Sequence, residues 1–213
     1  MTATKGVCYI VYGAMAKREA TESIKTLRTH HPDIPVCVIG DEIIKDTQSL
    51  LYPGEPGMDS VEISRRAKVN LDRLSPYQHT FYLDADTRVY KPINALWDII
   101  PDFDMVISPS KCQGSELLWN IGKEDKAATL EETGMALGLQ GGMFLFRKTT
   151  AMRHFFAVWR KEWKRFRQYD QGALLRALYQ CPLRIWLLGR PWNGGIDKSI
   201  IWHRYGTARP IRA

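Results

Sequence analysis

The sequence predicts an α/β fold whose N-terminal half is a Rossmann-like, nucleotide-binding unit. Three observations carry that prediction. The first is a strand, helix and strand at the start. Val7-Cys8-Tyr9-Ile10-Val11-Tyr12 is an unbroken apolar run stopped by Gly13, and Ala20, Ile24 and Leu27 then recur at i, i+4 and i+7. A second apolar run, Val36-Cys37-Val38-Ile39, leads into Gly40-Asp41. Strand–helix–strand of this length makes a right-handed parallel crossover. The second observation is the run Thr80–Leu83, which ends in Asp84-Ala85-Asp86 before Thr87-Arg88-Val89-Tyr90 resumes. Open α/β sheets place their ligands at such strand ends. The third is size: 213 residues, 45% of them hydrophobic, suffice for one core and one domain over 1–213.

The remaining elements follow in order. The first helix is expected from about Arg18 to His30 and is ended by His31-Pro32. Pro53, Gly54, Pro56 and Gly57 make residues 51–60 a loop. From Ser64 to Leu74 the pattern is helical, with Ala67, Leu71 and Leu74 on one face. Arg65, Arg66 and Lys68 then stand at the helix start, where cations oppose the dipole and call for a phosphate or for solvent. A short helix (93–100), a strand (104–107) and a long irregular loop or lid (110–135) follow. Gln140 to Phe146 reads as a strand in which Gly141 and Gly142 permit close backbone approach.

Met152, Phe155, Phe156, Trp159, Trp163 and Phe166 mark a long helix whose aromatic stripe belongs in the core. Its other face carries Arg153, Arg160, Lys161, Lys164 and Arg165. Asp170-Gln171-Gly172 opens another helix with Leu174, Leu175 and Leu178 apolar, where Asp170 could also serve as a cap. A strand (184–188), a turn at Trp192-Asn193-Gly194-Gly195 and a last apolar run from Ile200 close the chain.

Composition narrows the function. The net charge of +7 is uneven: residues 147–213 hold 15 Lys/Arg against Glu162, Asp170 and Asp197. That half suits an anionic partner such as nucleotide phosphates or a lipid surface, or else is a solvated face. No GxGxxG or Walker motif is present, which disfavours dinucleotide oxidoreductases and P-loop enzymes. With no helix-turn-helix, zinc or RNP motif, no nucleic-acid partner is expected. Cys8, Cys37, Cys112 and Cys181 lack CxxC spacing, and two of them lie in apparent core strands. Reduced, buried thiols are therefore expected. No run of 18 apolar residues and no basic-then-apolar leader occurs, so a soluble, cytoplasmic protein is expected, peripheral to a membrane at most.

Asp84 and Asp86 lie two apart in an extended segment, so their carboxylates can address one divalent cation, Mg²⁺ or Mn²⁺. An Asp-x-Asp triplet is common by chance, however, and Asp102-Phe103-Asp104 is a second copy that reads as a plain loop. Company decides. The chain resembles the GT-A glycosyltransferases, most nearly the glycogenin-like family-8 group, in five features that occur in the family's order. These are Asp84-Ala85-Asp86-Thr87 after a core strand, and Lys68 sixteen residues before the first Asp. Gln140-Gly141-Gly142-Met143-Phe144, Asp170-Gln171-Gly172, and His203, Gly206, Arg209 and Pro210 complete the set. The chain is also similar to the glycosyltransferase domains of large algal viruses.

The resemblance implies a single-domain GT-A fold, a mixed central sheet with helices on both faces, with residues 207–213 as a tail or linker. It implies transfer of a hexose from a nucleoside-diphosphate sugar, most nearly a UDP-sugar, to a hydroxyl of a glycan, glycoprotein or lipid-linked acceptor. Asp84, Asp86 and His203 would hold the metal, while Lys68 and Arg209 would hold the diphosphate; Arg65, by its place in the cation cluster of the Ser64–Leu74 helix, is a further phosphate-contact candidate. Tyr12 and Gly13 would meet base and ribose, with Ala85, Gln140, Gly141, Gly142 and Gly206 also donor-side; Trp192 and Asn193 are acceptor-side or sugar-side candidates, with a core Trp192 as the alternative. Asp170, with Gln171, would be catalytic: a base if configuration inverts, an orienting group if it is retained. Gln140-Gly141-Gly142 stands where the family has Asn-x-Gly, so the stereochemical outcome is open; Arg209 stands where the family has Lys, keeping the charge and gaining a fork for phosphate oxygens. The rival readings are a non-catalytic nucleotide-sugar-binding module and a basic nucleic-acid-binding protein.

Overall fold

The computed structural model describes residues 3–110, 121–134, 138–167, 169–193 and 199–205. Strand β1 (Lys5–Val11) is buried from Gly6 onward, and its alternation divides the core into two layers. Val7, Tyr9 and Val11 face one apolar cluster, while Cys8 and Ile10 face another. Helix α1 (Gly13–His30) covers the first layer and returns the chain to β2 (Val36–Gly40), parallel to β1 with Cys8 opposite Cys37. Both thiols are free and buried, as is Cys181; Cys112 lies outside the described residues.

Among the described residues, seven strands form one sheet in the order β3 (Gln48–Leu51), β2, β1, β4 (His79–Leu83), β7 (Leu139–Arg147), β6 (Met105–Pro109), β8 (Ile185–Leu187). β3 to β4 are parallel, and β7 is antiparallel to both β4 and β6, so the sheet is mixed. A separate ribbon pairs β5 (Thr87–Val89) with β9 (Ile201–His203). Helix α4 (Asn94–Ile99) joins α1 on one face. Helices α2 (Ser60–Lys68), α3 (Leu71–Leu74), α6 (Thr150–Phe166) and α7 (Asp170–Gln180) cover the other. The aromatic stripe of α6 is core: Trp159 packs against Phe144, Phe155 and Phe156 with ring centroids 5.6–5.9 Å apart.

Four elements differ from their sequence expectation. α1 begins at Gly13, five residues early, because Gly13 enters it at φ +79°, a conformation other residues avoid. β3 has no counterpart among the elements expected from the sequence, and only its last residue, Leu51, falls in the expected loop; as the exposed edge strand it shows no in/out alternation to read. α2 starts at Ser60, where Asp59 caps it by accepting from the Glu62 N–H (2.8 Å), and it breaks at Val69 before α3. Arg65, Arg66 and Lys68 therefore stand in its last turn, where the dipole favours them rather than opposes them. The expected irregular stretch contains helix α5 (Lys123–Thr133). Its buried face is Asp125, Thr129 and Thr133, polar rather than apolar, so hydrophobic periodicity could not reveal it.

Candidate active site

The strand order 3-2-1-4 reverses direction beside β1, so the C-terminal ends of β1 and β4 diverge and leave a crevice. A cleft of about 380 Å³ opens there. Tyr12 comes from the end of β1, and Asp84, Ala85 and Asp86 from the turn after β4. Arg65 and Lys68 enter from α2, Gln140, Gly141 and Gly142 from β7, Asp170 and Gln171 from the start of α7, and His203 from β9.

Three of these make a candidate metal centre. Candidate ligand atoms of Asp84, Asp86 and His203 all lie within 4.8 Å of one another. His203 Nε2 is 3.1 Å from Asp86 Oδ1 and 3.6 Å from Asp84 Oδ2. Two ligands each about 2.1 Å from an ion and at right angles would sit about 3.0 Å apart, so the spacing suits adjacent positions on a six-coordinate ion. Two carboxylates and one imidazole form a donor set that suits Mn²⁺ or Mg²⁺ better than a soft metal. The residues fit the implied metal.

A buried charge relay lies beside it. Lys68 Nζ is 3.1 Å from Asp84 Oδ1 and 3.1 Å from Asp170 Oδ2, and Arg65 Nε is 4.0 Å from Asp170 Oδ1. Burial alone would push the Lys68 ammonium down, but Asp170 and Asp84 more than offset it and hold it above its ordinary value. Burial likewise favours neutral Asp170, yet Lys68 and Arg65 hold its carboxyl below the usual range. Asp170 does not cap α7 through its side chain; it is the first helical residue and points at Lys68. Tyr82 donates its hydroxyl to Asp84. Burial, then the neighbouring Asp84 charge, push that hydroxyl well up, so it remains a donor.

Backbone contacts fix the approach of the strands. The Asp84 N–H donates to the Gly142 carbonyl at 2.8 Å, which brings β7 against the metal ligands. Gln171 donates to the Leu139 carbonyl and accepts from the Gly141 N–H at 3.5 Å, so its side chain braces the glycine pair from α7.

A polar stripe on α1 holds the other side. Glu19, Ser23 and Thr26, spaced four and three residues apart, share one helix face. Glu19 Oε2 accepts from Arg88 (2.7 Å) and from Arg204 (2.9 Å); Ser23 meets Thr87, and Thr26 accepts from the Val89 N–H. The Arg204 N–H also donates to the Asp86 carbonyl at 2.9 Å. One buried carboxylate thus ties both the Asp84–Asp86 turn and the His203 strand to α1. Arg204→Ala keeps the N–H to Asp86 but removes the Glu19 ion pair that anchors β9, and is expected to lower Mn²⁺ affinity about tenfold, the low end of the cost of disturbing a ligand's support. Paramagnetic resonance of free Mn²⁺ would read it, with the melting temperature as control. Unchanged affinity would mean that the backbone alone holds β9.

Gly13 lies at the cleft margin, its N–H donating to Asp41 at 3.0 Å, and is not part of the lining. Trp192 packs against the core, and buried Asn193 accepts from the Tyr205 hydroxyl at 3.1 Å; neither lines the cleft. Gly206, Arg209 and Pro210 lie outside the described residues. The cleft also contains Tyr82, Tyr169 and Tyr205, which sequence reasoning passed over. Tyr82 and Tyr205 each lie two positions from a ligand, and that spacing was the available signal. Tyr205 stacks on His203 with centroids 4.1 Å apart.

No protein-family model and no curated protein sequence matches this chain. Solved structures do. WbbM, a bifunctional glycosyltransferase in its apo form, superimposes with a TM-score of 0.71 at 13% identity, over 95% of this chain and 46% of that one. The fold is that of solved glycosyltransferases. Mouse xyloside xylosyltransferase 1, also apo, gives 0.63 at 10% identity over 97% of this chain and 99% of that one. The galactosyltransferase LgtC, solved with donor and acceptor sugar analogues, gives 0.61 at 15% over 87% and 74%. This chain thus spans about half the length of WbbM. The glycosyltransferase fold agrees with the mixed sheet flanked by helices expected from the sequence.

Proposed function

We propose that the chain is a metal-dependent glycosyltransferase, nearest the glycogenin-like group. It moves a hexose from a nucleoside-diphosphate sugar, UDP-based, to a hydroxyl of a glycan, glycoprotein or lipid-linked acceptor. The observation that carries this reading is the convergence of Asp84, Asp86 and His203 with Lys68 at the sheet's switch point. Departure of the diphosphate builds negative charge on its outer phosphate. A bound Mn²⁺ or Mg²⁺ supplies Lewis-acid neutralisation of that charge. Lys68 stays protonated and Arg65 stands beside it, so both place fixed positive charge along the same wall. Tyr12 offers its ring to the base.

Asp170 is held ionised by two cations, which makes it a weak proton acceptor. We therefore assign it to orienting the sugar rather than to deprotonating the acceptor, the arrangement that goes with retention. Gln171 supports it by bracing Gly141. Peripheral contact with an anionic membrane remains part of the proposal, in a narrower form. Arg160 is taken up by Asp72 (2.6 Å), and Arg165 by Glu132 and Glu162. Among the described residues no helix is long and apolar enough to cross a membrane.

Calorimetric titration with UDP, with and without Mn²⁺, tests the reading. Binding should require the metal, and Asp86→Ala and His203→Ala should each weaken it about 100-fold or more, above the cost of losing an outer partner. Turnover of a UDP-sugar panel then separates a catalyst from a binding module. Metal-independent UDP binding, or none at all, would sink the proposal.

A further inference from the structure

On the far side of α2 a second groove of about 380 Å³ lies between the C-terminal ends of α2, α3 and α6. α2 divides its cations between the two: Arg65 and Lys68 face the cleft, and Arg66 faces the groove. Arg66, Arg73, Arg160, Lys164 and Arg167 line it. The acids nearby are already engaged, Glu55 with Arg66 (2.6 Å) and Asp72 with Arg160 (2.6 Å). Arg73, Lys164 and Arg167 have no acidic partner among the described residues.

Part of that surplus is offset by the protein itself. The C-termini of α2 and α6 each bring about −0.5 charge to this place. About two positive charges remain unmatched, the charge of one phosphate monoester dianion. A second observation points the same way. Trp163 lines the groove while 3% exposed, and its Nε1–H is buried with no hydrogen-bond partner. Such a donor costs free energy, part of which a ligand oxygen that reached it would recover. Arg side chains supply forked donors suited to phosphate oxygens.

We propose that this groove is a second ligand site, separate from the cleft, that takes a phosphate monoester, free or as a lipid headgroup. The inference stands apart from the glycosyltransferase reading. Two probes test it at physiological salt with EDTA present, so that no metal recruits phosphate to the cleft. Glycerol 3-phosphate, titrated calorimetrically, reports the free ligand. Phosphatidylcholine vesicles with phosphatidic acid, or with phosphatidylserine, report the headgroup.

At least one phosphate-monoester probe should bind, and the double variant Arg73→Ala/Lys164→Ala should lose about tenfold or more. Lys68→Ala should leave this binding unchanged, and UDP–Mn²⁺ binding of the double variant should stay intact. Binding of glycerol 3-phosphate identifies a soluble ligand; binding of phosphatidic-acid vesicles alone identifies a membrane source. The proposal is overturned if neither probe binds, if the loss follows Lys68→Ala instead, or if phosphatidylserine vesicles bind equally well.

Discussion

Replacing Gly142 by alanine is expected to abolish Mn²⁺-dependent UDP binding in a protein that still folds. A Cβ there would lie 2.4 Å from His203 Cε1 and 2.5 Å from Asp84 Oδ2. Ordinary contact needs roughly 3.4 Å, so one or both ligands must retreat by about 1 Å, whereas a metal site tolerates about 0.2 Å. The backbone resists yielding instead, because β7 pairs with β4 up to Met143 and the Gly142 carbonyl is taken by the Asp84 N–H. The expected loss in metal affinity is about 100-fold or more, beyond the range for disturbing an outer partner. Calorimetry with Mn²⁺ alone and then with UDP would measure it. Near-wild-type binding would show that His203 and Asp84 do not share one ion.

The largest effect on stability is expected far from the metal, at Arg176. This guanidinium is 1% exposed and joins three helices. It lies 2.6 Å from Asp125 of α5 and 2.8 Å from Glu162 of α6, while itself on α7. Gly172, one turn earlier, lets Asp125 come close: a Cβ there would stand 2.6 Å from Asp125 Oδ1. Arg176→Ala leaves two buried carboxylates without their shared cation, which costs about 3–5 kcal/mol. For a chain of this size that lowers the melting temperature by roughly 6–20 °C. Thermal denaturation reads it directly, and a fall of less than about 2 °C would show the network to be dispensable.

The same network sets a pH dependence. Burial favours neutral Glu162, but hydrogen bonds from Arg176 and Arg165 outweigh it and hold the carboxyl below its ordinary value. A group depressed in the folded state stabilises fully above its unfolded pKa, about 4.3 for Glu. That stabilisation is lost as pH falls through the folded value. The melting-temperature gap between wild type and Arg176→Ala should therefore be full near neutrality and shrink in acid below about pH 4. A gap that widens in acid would contradict the assignment.

How far the sequence carried the argument depends on the kind of element. β1, β2 and β4 were legible as unbroken apolar runs, and α6 from its aromatic period. The metal trio came from a resemblance of ordered motifs, since the Asp102/Asp104 copy shows that the spacing alone discriminates poorly. α5 escaped because its inward face is Asp125, Thr129 and Thr133, whose burial makes sense only once Arg176 is opposite them. The helix end at which the α2 cations stand is hidden in the sequence, because the Asp59 cap follows directly on the Pro- and Gly-rich stretch 53–57.

What the sequence by itself determined was the α/β class, the position of the Asp84–Asp86 turn at a strand end, and a basic C-terminal half. Those properties follow from local period, from chain geometry and from counting charges. Only the tertiary structure decided that Glu19 holds β9 beside that turn, that Lys68 bridges Asp84 and Asp170, and that Arg73, Lys164 and Arg167 gather in a groove. Each depends on which charges meet across 16 to 185 residues of chain or between separate helices. No period or composition encodes such pairings, because packing selects them.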